Sequence, residues 1–198
     1  SGYNMNIKYL KLIATKARID SLASIYYAES GHPGGVLSSI DVILYLFLVE
    51  INFNVGSFTT LKRDRFILSK GHSVPALYSV AVYAGLLERS QLKGFRKINN
   101  ILQGHPNRKS TPWVEASTGS LGQGFSFAIG EAKGLKIQSI NNRVYTMLGD
   151  GELQEGEVWE GAMFSAHHKL DNLCAIIDYN KMQSDNLNEK IIGLEPLV

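Results

Sequence analysis

The last third of the chain contains a strand–helix–strand pattern, which constrains the fold more than any other feature of the sequence. One apolar run, 144–148, ends in Gly149-Asp150-Gly151, and another, 173–177, ends in Asp178-Tyr179-Asn180. A helical pattern between them covers roughly residues 156–168. Two strands connected in this way are expected to lie parallel, with a right-handed crossover between them.

The rest of the chain alternates helical patterns with one further short strand. Apolar residues at helical spacing predict a helix over 7–29, which the glycines and proline of 30–35 should end. The remaining predictions are a helix capped by Ser38 or Ser39 and running to about Val49, a strand at 65–68, a helix with Pro75 in its first turn, and a helix from after Gly119 to about Gln138. This pattern predicts an α/β fold, with an open, mostly parallel sheet and helices on both faces.

Composition limits the classes of function that need consideration. The chain has 198 residues and a formal net charge of +2, which fits one globular domain and gives no indication of a nucleic-acid partner. The apolar stretch 42–49 is too short to span a bilayer, so no membrane association is expected. The single cysteine, Cys174, lies in an apolar run and is expected to be a buried core thiol, which favours a reducing cytoplasm. Residues 1–5 resemble an expression scar followed by a native start at Met5. The expected domain is therefore 6–198.

Two polar residues at the ends of the paired strands could bind a metal. Ligands of open α/β sheets bind beyond the carboxyl ends of the strands, where Asp150 and Asn180 both lie. A carboxylate and an amide oxygen are ligands that Mg²⁺ prefers, and phosphate oxygens would complete its shell. Gly149 and Gly151 allow the backbone to approach a phosphate closely. Taken alone, the Gly-Asp-Gly segment is more typical of a turn and a capping aspartate that end a strand.

The wider pattern of motifs resembles the transketolase family. The segment Gly149-Asp150-Gly151 followed by Asn180 resembles the thiamine-diphosphate motif. The likeness to transketolases continues through Glu152–Gly156 and through Asn180-Lys181-Met182. Four further segments resemble transketolases and occur in the same order as in that family. Those four are Ser30-Gly31-His32-Pro33-Gly34, Asp64-Arg65-Phe66-Ile67-Leu68-Ser69-Lys70-Gly71-His72, Gly104-His105-Pro106 and Thr118-Gly119-Ser120-Leu121-Gly122-Gln123-Gly124. The resemblance covers nearly the whole chain and implies thiamine diphosphate and Mg²⁺ as cofactors, with Ca²⁺ or Mn²⁺ as possible substitutes for the metal.

The resemblance also implies a role for each matching residue. Those proposed for the metal are the side chains of Asp150 and Asn180 and the backbone carbonyl of Met182. Those proposed for the cofactor are Gly149, Gly151 and His72 at the diphosphate and Gly119 and Leu121 along the aminopyrimidine. Those proposed for catalysis are His32 and His105 at the sugar and Glu155 and Glu160 in a proton network across a dimer, with Glu155 also counted as cofactor-binding. Histidine suits proton transfer near neutral pH because its unperturbed pKa is about 6.5.

Departures from the family pattern concern the partner. Ser120 stands where many full-length transketolases have proline, which favours a split, two-subunit member. The carboxylate that pairs with the aminopyrimidine and the residues that grip the sugar phosphate belong to a second domain in this family. The resemblance therefore implies that the C-terminal part of this domain is missing, that the isolated chain is inactive, and that activity needs a partner carrying the pyrimidine-binding domain, in a dimer or heterotetramer.

Three other functions are compatible with parts of the pattern. The alpha subunit of a 2-oxoacid dehydrogenase shares Gly-Asp-Gly and the metal asparagine, and deoxyxylulose-phosphate synthase is a further relative. A non-catalytic pseudo-subunit that binds cofactor without turnover is the third. The histidine segments favour ketol transfer between sugar phosphates, because they match positions that contact the hydroxyls of a sugar. The sequence leaves open whether such transfer would serve the pentose phosphate pathway or a dedicated biosynthetic pathway.

Overall fold

The chain folds into two compact units, each assembled from two stretches of sequence. The computed structural model describes residues 6–52, 56, 60–183 and 186–197. The first unit combines the chain up to Leu61 with His72–Val114, and the second combines Lys62–Gly71 with the chain from Glu115 onward. The expected scar at residues 1–5 lies outside the described residues.

The first unit is helical. Its described residues form the α-helices α1 (Ile7–Ala28), α2 (Pro33–Tyr45) and α3 (Val74–Tyr83), which pack against one another. The side chain of Asn6 caps α1 by accepting a hydrogen bond from the Lys8 N–H at 2.9 Å. The predicted start of the second helix at Ser38 or Ser39 is wrong, because α2 begins at Pro33. Proline is tolerated in the first helical turn, where its missing N–H would have no partner within the helix.

The second helix continues as a π-helical turn, Leu46–Glu50. By length and composition alone, Pro33–Glu50 is the one helical stretch among the described residues that could cross a membrane. This is weak evidence for a span, since Val36, Ile40 and Ile43 are fully buried and α2 packs against both α1 and α3. A helix buried in the core of a globular unit can be equally long and apolar, so these properties alone do not indicate a membrane span.

The second unit contains a parallel sheet. Strands β1 (Arg65–Leu68), β2 (Val144–Gly149) and β3 (Leu173–Asp178) lie in the order β1-β2-β3, and both pairs are parallel. Helices α4 (Gln123–Ile137) and α5 (Gly156–His167) belong to this unit, which ends in a short hairpin and one helical turn. These last elements are β4 (Met182–Gln183), β5 (Asn186–Leu187) and α6 (Asn188–Ile191). The predicted α/β class and parallel sheet are confirmed.

The core of the second unit forms between α4 and the sheet. Ala128 and Ala132 of α4 are fully buried in a cluster with Val144 and Leu148 of β2. Small side chains on α4 allow the helix to approach the sheet closely, and α5 packs against α4. Cys174, predicted to be a core thiol, is only partly buried because β3 forms the edge of the described sheet.

Candidate active site

Asp150 follows the last residue of the central strand β2, and its carboxylate lies beside the loop that follows β3. Its side chain is 2% exposed. One carboxylate oxygen accepts a hydrogen bond from the Gly151 N–H at 2.9 Å, and the other accepts one from the Lys181 N–H at 2.6 Å. Because β2 and β3 are in register, with Gly149 opposite Asp178, the carboxylate reaches the neighbouring loop directly.

The loop after β3 carries the other two predicted metal ligands. The Asn180 amide oxygen accepts a hydrogen bond from the Met182 N–H at 2.9 Å, and Asn180 and Met182 are both exposed. Lys181 between them has a left-handed backbone, with φ at 65°. The carbonyl of Lys181 accepts a hydrogen bond from the Asn188 N–H at 3.1 Å, which ties the loop to α6. The structure thus brings Asp150 and the 180–182 loop together, as the strand order requires.

We call Asp150, Asn180 and Met182 the strand-end cluster, and its donor set fits a hard divalent cation. It offers one buried carboxylate, one amide oxygen and backbone carbonyls, and Mg²⁺ takes oxygen ligands of these kinds with phosphate and water. Within the described residues no three side chains of histidine, cysteine, aspartate or glutamate gather as a metal site. A cation here would therefore need ligands beyond the protein's carboxylates, and the oxygens of a diphosphate would meet that need.

Glu152 is a buried carboxylate to which the sequence reasoning gave no role. It is 1% exposed and accepts hydrogen bonds from the Ser69 hydroxyl, from the Gly122 N–H at 2.8 Å and from the Gly149 N–H at 3.0 Å. Burial raises the pKa of Glu152, while these hydrogen bonds and the nearby Lys70 ammonium act in the opposite direction. The N–H of Gly149, predicted to be cofactor-binding, is thus engaged inside the protein. Two of the three donors to Glu152, Ser69 and Gly122, lie 83 and 30 positions away in the chain, so no local pattern could have identified its role.

The positively charged side chain of Lys70 lies near the Gly149–Gly151 turn. Its ammonium forms an ion pair with the Asp178 carboxylate, and both side chains are buried. Asp178 is the last residue of β3 and pairs with Gly149 of β2. This buried ion pair holds the segment after β1 close to the end of β3, because separating the two residues would leave each charge buried and unpaired.

The loop that carries Gly119 and Leu121 is fixed at both ends. The Thr118 hydroxyl donates to the Leu68 carbonyl at 2.7 Å, at the end of β1. Gly122 begins α4 as its N-cap with φ at 87°, a left-handed conformation that favours glycine. Gly119 and Leu121 are both half-buried between these anchors. This loop and the Gly149–Gly151 turn are joined through Glu152.

The three predicted histidines come together in the first unit, and we call His32, His72 and His105 the histidine cluster. His32 is the N-cap of α2, and His72 lies in a 3₁₀ turn, Gly71–Ser73. Their ring centroids are 5.3 Å apart, edge to face. His105 is close enough for His32 to lower its pKa. Three separate loops thus bring these histidines to one place, and the roles that the resemblance implies for them stay predictions.

Arg96 holds two of the histidine loops, and the sequence reasoning missed it. Its guanidinium donates to the Ser30 hydroxyl at 3.0 Å, two residues before His32. It also packs against Gly104, where an added Cβ would lie 2.9 Å from the guanidinium carbon. Burial first, and then the charge of Arg96, lower the pKa of both His32 and His105. An arginine in a polar, irregular stretch carries no sequence signal of such a role.

The two predicted acids of the proton network lie on the surface of this chain. Glu155 is the N-cap residue of α5 and Glu160 lies in its second turn, and both are exposed. Trp159, beside Glu160, is 49% exposed and donates its indole N–H to the Leu153 carbonyl at 2.8 Å. A role across a dimer interface stays a prediction.

The family described as "transketolase, thiamine diphosphate binding domain" matches residues 10–192 of this chain. Human transketolase is 42% identical over 181 residues, which cover 90% of this chain and 29% of the human protein. One subunit of the apulose-4-phosphate transketolase of Phocaeicola vulgatus is 36% identical over 193 residues, covering 98% of this chain and 68% of that bacterial protein. The chain thus spans less than a third of human transketolase and about two thirds of its bacterial relative.

Solved structures give the same relationship. Transketolase from Campylobacter jejuni superposes with a TM-score of 0.86 at 32% sequence identity, over 96% of this chain and 31% of that protein. Transketolase from Leishmania mexicana superposes with a TM-score of 0.84 at 30% identity, over 93% of this chain and 29% of that one. Sequence identities of 30–32% indicate that these proteins are homologues of this chain and do not merely share its fold.

Proposed function

Because this chain belongs to the transketolase family, in its thiamine-diphosphate-binding domain, we propose that it is the cofactor-binding subunit of a split enzyme. That enzyme transfers a two-carbon ketol unit between sugar phosphates and works in the cytoplasm. One observation carries the proposal: the buried Asp150 carboxylate at the end of β2 accepts a hydrogen bond from the Lys181 N–H, beside Asn180 at the end of β3. Adjacent strands thereby present an acid and an amide at the same edge of the sheet.

The strand-end cluster would hold the metal and the diphosphate. Asp150 and Asn180 would bind Mg²⁺ through their side chains and Met182 through its carbonyl, while Gly151 and His72 contact the diphosphate. A Cβ built at Gly151 would lie 3.1 Å from the Gln183 side chain, so glycine here lets the loop after β3 pack closely against the Gly149–Gly151 turn. Gly119 and Leu121 would offer backbone groups to the aminopyrimidine. When bound, thiamine diphosphate supplies the carbanion and the electron sink for the reaction.

The histidine cluster would handle the protons and hydroxyls of the sugar. Burial and the charge of Arg96 lower the pKa of His32 and of His105, which favours the neutral ring that can accept a proton or a hydrogen bond from a hydroxyl. Breaking and forming a ketose carbon–carbon bond requires such transfers at hydroxyl oxygens. Glu155 and Glu160, exposed on α5, would join two active sites across a dimer.

The partner is proposed from the names of relatives. The Phocaeicola vulgatus protein is named as one subunit of its transketolase, and this chain covers 68% of it, which supports a split organisation here. The same relatives support ketol transfer over a 2-oxoacid dehydrogenase or deoxyxylulose-phosphate synthase. The partner would carry the pyrimidine-binding domain, and the assembly would be a dimer or heterotetramer.

The test is a reconstitution assay with the complete protein and a partner that carries the pyrimidine-binding domain. We expect two-carbon transfer from a ketose phosphate to an aldose phosphate only when both subunits, thiamine diphosphate and Mg²⁺ are present. Replacing His32 with asparagine should abolish transfer, whereas the same change at His168, at the end of α5, should leave it intact. Robust transfer by the single chain would contradict the need for a partner, turnover of pyruvate would favour the dehydrogenase, and cofactor binding without turnover would favour a pseudo-subunit.

A further inference from the structure

Glu152 connects three segments that are far apart in the sequence. Its two carboxylate oxygens receive hydrogen bonds from Ser69 after β1, from Gly122 at the start of α4 and from Gly149 at the end of β2. Two of the three donors are backbone N–H groups, which cannot turn to other acceptors without moving the chain. Leaving a buried N–H without an acceptor is costly, so the carboxylate fixes the relative position of these segments.

Two of these segments lead to opposite ends of the proposed cofactor site. Gly149 directly precedes Asp150 and Gly151, which would hold the metal and the diphosphate. Gly122 directly follows Leu121, which with Gly119 would lie along the aminopyrimidine. Thiamine diphosphate spans both ends, so its affinity depends on the distance between the two subsites as well as on the contacts within each.

We propose that Glu152 is a positioning residue that sets the spacing between the diphosphate and aminopyrimidine subsites. This inference rests on the proposed function, since it takes thiamine diphosphate as the ligand. Glu152 touches neither end of the cofactor and acts through the backbone at Gly122 and Gly149. A ligand that occupies both subsites should therefore depend on Glu152 more strongly than a ligand that occupies one.

A merely structural role would have a different signature. If Glu152 only stabilised the fold, its loss would lower the affinity for every ligand of the site by a similar factor. A spacing role lowers the affinity for the two-ended ligand selectively. The ratio of the affinities for thiamine diphosphate and for inorganic pyrophosphate separates these roles, because pyrophosphate occupies the metal end alone.

The test is calorimetric titration of the complete protein, assembled with its partner, in the presence of Mg²⁺. Glu152→Gln keeps the shape of the side chain but replaces one acceptor oxygen with an NH₂ group, which cannot accept from the Gly122 or Gly149 N–H. We expect roughly tenfold weaker binding of thiamine diphosphate, in the range found for outer-shell residues. Pyrophosphate affinity should change by no more than about twofold, because the contacts within the metal end remain and only the distance to the aminopyrimidine end is altered.

Glu157→Gln is the matched control. Glu157 accepts a hydrogen bond from the Ser126 hydroxyl at 2.9 Å, and its side chain lies beside Gly122, so it contacts the start of α4 without reaching Gly149. It should leave the affinity ratio unchanged. Ser69→Ala removes one hydrogen bond and keeps the carboxylate, so it should change the ratio in the same direction by roughly two- to fivefold. This variant tests the proposal even if Glu152→Gln fails to fold.

Three results would count against the inference. An equal loss of both affinities in Glu152→Gln, or an unchanged ratio in both variants, would overturn the spacing role and leave the proposed function standing. If the wild-type assembly bound pyrophosphate but not thiamine diphosphate, the proposed function itself would fail, and the inference would fail with it.

Discussion

The strand-end cluster and the histidine cluster differ in how their side chains are held. Asp150 and the underlying Glu152 are almost fully buried, and five hydrogen bonds from Ser69 and from backbone N–H groups reach their carboxylates. His32 and His105 keep much of their surface exposed while their surroundings partly desolvate them, and the guanidinium of Arg96 contacts the loops that carry both. The first cluster is fixed by the sheet register, whereas the loops of the second are held by side chains such as those of Arg96 and Tyr78.

This difference matches the two tasks that we propose. A cation and a diphosphate need ligands at fixed distances, and the buried Asp150 carboxylate, held by two backbone N–H groups, provides one before the ligand arrives. Protons on sugar hydroxyls need groups with a pKa near or below neutral that solvent and substrate can reach. We therefore expect changes in the strand-end cluster to affect binding and stability, and changes around the histidine cluster to affect pH dependence.

The largest effect should follow from Asp150→Asn. This change keeps the shape of the side chain but removes the charge that would bind Mg²⁺, and it leaves one oxygen to serve the Gly151 and Lys181 N–H groups. We expect the Mg²⁺-dependent affinity for thiamine diphosphate to fall by more than about 100-fold, beyond the effect of outer-shell residues. Titration calorimetry measures this, and Asp171→Asn, at an exposed ion pair with Lys136, is the control. Unchanged binding in Asp150→Asn would remove this residue from the metal site.

A smaller effect, on stability, should follow from Lys70→Met. It removes the ammonium from the buried Asp178 carboxylate while keeping most of the side-chain volume. Breaking a buried pair in this way costs about 3–5 kcal/mol, so the free energy of unfolding in urea should fall by that amount. The same change at Lys136, whose pair with Asp171 is on the surface, should lower the free energy of unfolding far less, because water screens an exposed pair. Equal losses in both variants would show that the strand ends are not fixed as described.

The smallest effect should follow from Arg96→Gln, and it concerns pH. Burial is the main cause of the lowered pKa of His32 and His105, and the charge of Arg96 comes next. Removing that charge should raise both pKa values part of the way towards 6.5, the ordinary value. A proton NMR titration of the histidine rings measures this shift. Lys97→Gln, at the neighbouring exposed position, is the control and should cause no shift.

The direction in which the free energy of unfolding changes with pH follows from proton binding at these histidines. Below pH 6.5 the unfolded chain binds protons at these histidines before the folded chain does, because the folded pKa values are lowered. The free energy of unfolding should therefore decrease as the pH falls from about 6.5 through the folded pKa values. Arg96→Gln should make this decrease smaller. A steeper decrease would contradict the electrostatic role of Arg96.

The sequence predicted the parts of the fold that depend on local pattern. Apolar runs identified all three strands of the sheet, and the single crossover helix predicted that β2 and β3 are neighbours. That adjacency brings Asp150 beside the loop of Asn180. The start of α2 was predicted wrongly because proline was treated as a break, although it is compatible with a first turn.

The supporting residues could not be predicted in this way. Glu152 acquires its role from hydrogen bonds to residues 30 and 83 positions away, and Arg96 from one 66 positions away. Such contacts depend on how loops meet, and no periodicity or spacing encodes them. The convergence of His32, His72 and His105 was expected only from the resemblance to transketolases, because each lies in a separate irregular loop.

The central claim is that two neighbouring strand ends hold one cation and, through it, the diphosphate. A crystal structure of the complete protein with thiamine diphosphate and Mg²⁺ tests it most directly. The account predicts one ion bound by the side chains of Asp150 and Asn180 and by the carbonyl of Met182, at about 2.0–2.1 Å. A diphosphate bound elsewhere, or an ion that Asp150 does not contact, would contradict it.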